Sequence, residues 1–294
     1  MTGGEPPGGG DPIRAGVSER TGSVDKTRVR VVYGLERLRE EMRRVDELLD
    51  EPVEAYLIGG CAMSYAGTKT ATKDIDLVLR DAADLSRVRR ALEALGYAAT
   101  TKVDPAYEGL GAAGYFDKAA SPRWDVYVLR VCGKLQLSPG MVSRATREEP
   151  DLKRLRIQRV APSDIFIFKS ITERPEDKDD LDRLYGLGLR WDIVLEEMQW
   201  QCLHSEVAWS AAFVGALEDL ASEGKTVPIL DPLRELADRQ VGEIAVLRRV
   251  REGATTSASV VKAMGEDPAW VKGLIEGLVR RGAIVERDGI LRIP

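Results

Sequence analysis

The sequence predicts an α+β protein: a mixed sheet with flanking helices, then a helical middle region, then a small C-terminal module of helices closed by a hairpin. Short β-branched runs alternate with amphipathic stretches as far as residue 160, and helical spacing then continues without a strand to about residue 240. Beyond that point the grammar changes to short helices with glycine stops. At 294 residues the chain has room for about two domains of ordinary size.

Residues 1–27 are rich in Gly, Pro, Ser and Asp and lack the apolar run of a leader, so they read as a disordered tail. From Val31 to Leu49 the apolar residues Val31, Val32, Leu35, Leu38, Met42, Val45, Leu48 and Leu49 recur at helical spacing, giving a first amphipathic helix. AYLIGG and TKDIDLVL follow as two strands, joined through CAMSYAGTKTA by a short helix and a turn. Leu85, Val88, Leu92 and Leu95 line one face of the next helix, which stops at Gly96. Tyr97 to Val103 reads as an edge strand, EGLGAAGYFDKAASP as loop, and RWDVYVLRV as a strong strand. LRIQRV is a further strand before Pro162, which suits the first turn of a helix carrying SDIFIFKSITE.

DDLDRLYGL, WDIVLEEMQWQCL and WSAAFVGALEDLASEG continue as helices. The last section, residues 241–294, reads as three helices and a glycine-turned hairpin, resembling a winged helix packed around Ile244, Leu247, Val260, Leu274 and Leu278. Basic and acidic residues nearly balance there, which favours dimerisation or protein docking over DNA binding.

Composition narrows the chemistry. The chain carries 44% apolar and 31% charged residues with no run long enough to span a membrane, so a cytoplasmic address is expected. Cys61, Cys132 and Cys202 are odd in number and outside any Cys-x-x-Cys pattern, which argues against disulfides and zinc. His204, the single histidine, lies in an amphipathic helix and cannot furnish a His-rich metal site. Catalysis in such a chain runs on carboxylates and a metal.

Side chains two apart on a strand share a face, so Asp74 and Asp76 point together while Ile75, Leu77 and Leu79 point into the core. Paired carboxylates suit Mg²⁺, which takes a few carboxylate oxygens plus phosphate oxygens of a substrate. Gly59 and Gly60 end the preceding strand and open a helix, leaving backbone N–H groups for phosphate oxygens, with Ser64 one turn on. Asp125, on RWDVYV, is the third carboxylate that a neighbouring strand would bring beside the pair, completing a two-metal trio.

The run GGCAMSYAGTKTATKDIDLV resembles the signature of the polymerase-β-like nucleotidyltransferase superfamily, in the branch holding the AbiEii and MenT proteins and a related domain of unknown function. A Gly-Gly pair there precedes a helix and a Thr-x-Asp-x-Asp strand, matched by Thr72, Asp74 and Asp76; Lys169, Arg174, Asp177 and Asp180 resemble that branch's later Lys and Arg/Asp-rich segment. The resemblance covers about residues 50 to 190. It implies a nucleotidyltransferase-like sheet in residues 28–160, and a helical region, 161–240, that completes the nucleotide site. Mg²⁺ or Mn²⁺ is implied as cofactor, on Asp74, Asp76 and Asp125, with an NTP such as ATP as substrate. The acceptor is a macromolecule, a tRNA end or a protein hydroxyl, and membership of a toxin–antitoxin pair with a cognate antitoxin follows from the resemblance alone. Lys169 would neutralise the triphosphate, with Asp180 or Asp177 positioning it. Where many members place an Arg two residues before the Thr, this chain has Thr70, with Lys69 adjacent as the cation. The alternative is a winged-helix regulator that binds nucleic acid or protein through a non-catalytic nucleotidyltransferase fold.

Overall fold

The protein was analysed as a computed structural model, which describes residues 31–100, 111–172, 174–205 and 207–294. The expected tail at 1–27, and residues 101–103 of the expected edge strand, lie outside the described residues.

The chain runs β1 (Tyr33–Gly34), α1 (Leu35–Leu48), β2 (Val53–Leu57), α2 (Gly59–Tyr65), β3 (Ala71–Thr72), β4 (Asp74–Leu79), α3 (Ala82–Ala94), β5 (Ala98–Ala99), β6 (Gly114–Asp117) and β7 (Arg123–Val128). It continues through β8 (Arg130–Val131), β9 (Leu135–Gln136), α4 (Pro139–Arg144), β10 (Thr146–Arg147) and β11 (Leu155–Arg159). Helices α5 (Pro162–Ser170), α6 (Pro175–Tyr185), α7 (Trp191–Leu203), α8 (Ser210–Ser222) and α9 (Leu230–Arg251) form the middle region. The end is α10 (Ser257–Met264), α11 (Pro268–Arg280) and the hairpin β12 (Val285–Arg287) and β13 (Ile290–Arg292).

Seven strands make one mixed sheet in the order β10-β11-β2-β4-β7-β6-β5. β4 pairs antiparallel with β2 and parallel with β7, so it lies at the centre. Consecutive buried residues along β2, β4 and β7 mean that both faces of these strands are covered, which is why they read as near-continuous apolar runs. Val78 shares strand parity with Asp74 and Asp76 yet is fully buried, so the aspartate face is not a solvated one.

Several boundaries differ from the sequence expectation. Helix α1 begins at Leu35 rather than Val31, because Tyr33 and Gly34 pair with Thr72 and Ala71 while Val31 and Val32 stay exposed. The stretch read as loop holds β6, whose Tyr115 and Phe116 pair with Asp125 and Trp124. Helix α5 is buried on every side from Ser163 to Ser170, so it shows no polar stripe. Its two charges are paired: Asp164 with Arg144 at 2.7 Å, and Lys169 with acids of α6.

Helix α9 runs straight through the expected boundary at 241. Leu233 and Ala237 belong to the main core, whereas Val246 and Val250 belong to a second apolar cluster with Val260, Leu274, Leu278 and Leu291. Leu247 packs against that cluster, but Ile244 lies half-buried outside both. Asp267 caps α11 and Thr256 caps α10, the carboxylate accepting from the Trp270 N–H and the hydroxyl oxygen from the Ser259 N–H. Among the described residues no helix is long and apolar enough to cross a membrane.

Candidate active site

The parallel register of β4 and β7 sets Arg123 opposite Asp74 and Asp125 opposite Asp76. Four charged side chains thus share one patch of a covered sheet face. Asp74, Arg123 and Asp125 are buried, and Asp76 is half-buried.

The turn after β2 explains why two glycines stand there. Gly59 adopts φ +59°, and a Cβ on it would lie 2.5 Å from Asp76 Oδ2. A Cβ on Gly60 would lie 2.6 Å from Thr72 Oγ1 and 3.6 Å from Lys69 Nζ. Bare backbone is therefore needed for Asp76 and Thr72 to come up against the start of α2. Ser64 does not join them: its hydroxyl donates to the Gly60 carbonyl at 3.1 Å, one turn back, and is buried. A helical serine commonly back-bonds to the i−4 carbonyl in this way, and Ser64 is not among the residues that line the cavity beside Asp74 and Asp76.

Opposite the carboxylates stands a cationic wall. Lys169 Nζ lies 2.5 Å from Asp177 Oδ1 and 2.9 Å from Asp180 Oδ2, carboxylates three residues apart on α6. Lys69 shares Asp180 at 2.8 Å, and Arg174 holds Asp177 at 2.8 Å. The Thr172 hydroxyl lies within reach of both Asp177 and the Lys169 carbonyl, with one proton to donate between them. Gly60, Lys69, Thr72, Asp74, Asp76, Lys169, Arg174, Asp177 and Asp180 line one cavity of about 130 Å³. A larger cavity of about 810 Å³ shares Lys169, Arg174 and Asp177 with it and runs along the small residues Ala211, Ala212, Gly215 and Ala216 of α8.

The electrostatics follow the geometry. Burial, then repulsion from Asp74, pushes the Asp76 carboxyl up to about 6, against the pull of Lys169, Arg174 and Arg123. Burial raises Asp125 to about 8; the Arg123 bond pulls the other way, and Asp74 and Asp76 raise it further. Across the cavity burial would raise Asp177 and Asp180 too, but Lys169 with its neighbouring cations brings both below the ordinary carboxylate range. Lys169 itself is raised, because the two acids outweigh its burial.

Hard oxygen donors in a pair that repel each other suit a divalent cation completed by phosphate oxygens, so Asp74 and Asp76 fit Mg²⁺. Asp125 departs from its expected part as third ligand. Both its oxygens are engaged by Arg123 at 2.5 Å, and among the described residues no group of three His, Cys, Asp or Glu side chains is disposed to hold a metal. Sequence reasoning missed Arg123, although the alternation that placed Asp125 on this face places the residue two before it there too. His204 stacks on Trp200 at 3.9 Å and bonds its carbonyl, away from these residues. The three cysteines are free, Cys61 and Cys132 buried.

No protein-family model matches the chain, and no curated protein matches it either. Among solved structures, an antigenic nucleotidyltransferase-like protein from Paracoccidioides brasiliensis is similar at 12% identity with a TM-score of 0.36, the match covering 65% of this chain and 94% of that one.

Proposed function

We propose that the chain is a divalent-metal-dependent nucleotidyltransferase that moves a nucleoside monophosphate from an NTP to a macromolecular hydroxyl. One observation carries this reading: residues from position 60 to position 180 converge on a single small cavity with an acidic wall, Asp74 and Asp76, and a wall where Lys69, Lys169 and Arg174 outnumber the acids Asp177 and Asp180. A metal-bound triphosphate carries charges that complement both walls.

In this reading Asp74 and Asp76 hold Mg²⁺ or Mn²⁺, whose chemistry is to neutralise phosphate oxygens and polarise the phosphorus under attack. Lys169 and Lys69 turn from their carboxylates toward the phosphates and offset the charge that gathers on leaving pyrophosphate. Asp177 and Asp180 keep Lys169 charged and aimed, and Thr72 with the Gly59–Gly60 backbone fixes where the phosphates approach. The larger cavity beside Arg174 takes the part of the substrates that about 130 Å³ cannot hold. The acceptor class, a tRNA end or a protein hydroxyl, and a role as a toxin held by an antitoxin, come from the sequence resemblance.

The test is incubation of the protein with each α-³²P-labelled NTP, Mg²⁺ and either total tRNA or lysate protein. Label in one acceptor pool, with one or two NTPs, is the expected result. No label from any NTP in either pool would overturn the proposal.

A further inference from the structure

Arg123 sits inside the acidic face and not at its rim. It is 3% exposed; Nε and Nη2 each lie 2.5 Å from an oxygen of Asp125, and Nε lies 3.4 Å from Asp74 Oδ1. A two-point guanidinium–carboxylate bond of this kind is among the strongest side-chain contacts, and when buried it is costly to open from one side. Two consequences follow for cations at this face. Each Asp125 oxygen is bonded to Arg123, and the carboxyl is fully buried and does not line the cavity that Asp74 and Asp76 line; a fixed positive charge also stands beside Asp74, where a second divalent ion of a three-carboxylate site would have to come.

We propose that Arg123 is the built-in second cation of the site: it neutralises Asp125 and restricts the face to one divalent ion, held by Asp74 and Asp76. Arg123 is thus a positioning residue, acting through Asp74 and Asp125. The proposal rests on the metal-binding reading of Asp74 and Asp76 and departs from the two-metal scheme that three carboxylates suggest. It leaves the incoming hydroxyl without a metal of its own.

The test counts bound Mn²⁺ on the full-length chain by electron paramagnetic resonance. Wild type is expected to bind one Mn²⁺ at this face, with no spin-coupled pair. Arg123→Leu frees Asp125 and is expected to bind a second ion. Because that variant leaves a buried carboxylate unpaired and is liable to unfold, the decisive protein is the double variant Arg123→Leu with Asp125→Leu. Replacing a buried ion pair with apolar residues of similar size is often neutral or stabilising, so it should fold. It is expected to bind one Mn²⁺ within about tenfold of wild-type affinity, whereas loss of a true ligand weakens binding by more than that. A coupled Mn²⁺ pair in wild type, a folded Arg123→Leu protein that still binds one ion, or a double variant weakened beyond about tenfold overturns this inference and leaves the Asp74–Asp76 reading standing. No Mn²⁺ bound by wild type overturns both.

Discussion

The acidic face of the seven-stranded sheet and the C-terminal helices treat charge in opposite ways. Around Asp74 and Lys169, six ionisable side chains are buried: Asp74, Arg123, Asp125, Lys169, Asp177 and Asp180. Around Val246 and Leu278 the packing is apolar with one buried charge at its edge, Glu243, paired with Arg281 at 2.5 Å, and an ion pair such as Arg248–Glu252 lies on the surface, its arginine 74% exposed. Taking an ion out of water costs several kcal/mol even after relaxation, and an apolar core of the same volume is commonly as stable or more so. The sheet face bears a desolvation cost, as do Asp164 and Glu197 with Arg144, and it differs from that pair in lining a cavity, which is why the proposed chemistry is assigned there.

That contrast is broken most sharply at Arg123. Removing it alone should lower the free energy of unfolding by about 1–3 kcal/mol, since the buried Asp125 carboxyl is left without its hydrogen-bond partner; a urea titration measures this. A loss below about 1 kcal/mol, the scale of a surface pair, would put Asp125 in water and erase the distinction between the regions.

Lys169→Ala comes next. It should lower labelled-nucleotide transfer by roughly 10²-fold or more, the scale of one preorganised electrostatic contact in a transition state. Lys169 is buried against two acids, so some stability is lost as well, and activity must be compared at equal folded fraction. A variant that transfers as well as wild type would make the cationic wall structural.

A smaller effect sharpens the comparison through pH. Asp76 and Asp125 have folded-state values raised to about 6 and about 8, so between pH 4 and 8 the folded protein binds more protons than the unfolded chain. Their contribution to stability is therefore full near pH 4 and is lost as pH rises toward 8. Asp177 and Asp180 are lowered, so theirs is lost only as pH falls below about 4. Metal-free protein should melt at a lower temperature at pH 8 than at pH 5, and Mg²⁺ should recover part of the difference at pH 8. A melting temperature that rises from pH 5 to 8 without metal would contradict the crowding of these acids. The smallest effect belongs to Arg248→Ala on the C-terminal surface, expected to leave transfer and melting temperature unchanged.

Much of this organisation could be read in the residues. DIDLVL declares a buried strand with two like-facing acids, Pro162 marks the start of α5, and the Gly59–Gly60 pair marks a close backbone approach. What escaped has physical causes. β6 is a strand only because β7 supplies its hydrogen bonds, and GAAGYFD carries little strand propensity of its own. The expected boundary at 241 falls inside a helix because α9 passes from one apolar cluster to the other without interruption, its Gly242 making room for the Trp270 and Leu274 side chains rather than ending the helix. The Ser64 hydroxyl has a carbonyl one turn back to satisfy it, which no motif records, and Arg123 is legible only through the strand alternation that puts it on the face of Asp125.

The most direct test of the account is acceptor labelling by wild type and Asp76→Asn side by side, at matched folded fraction, in Mg²⁺ and in EDTA. The account predicts label with wild type in Mg²⁺, none in EDTA, and at least about 10²-fold less with Asp76→Asn. Equal labelling by the two proteins, or labelling that survives EDTA, would contradict it.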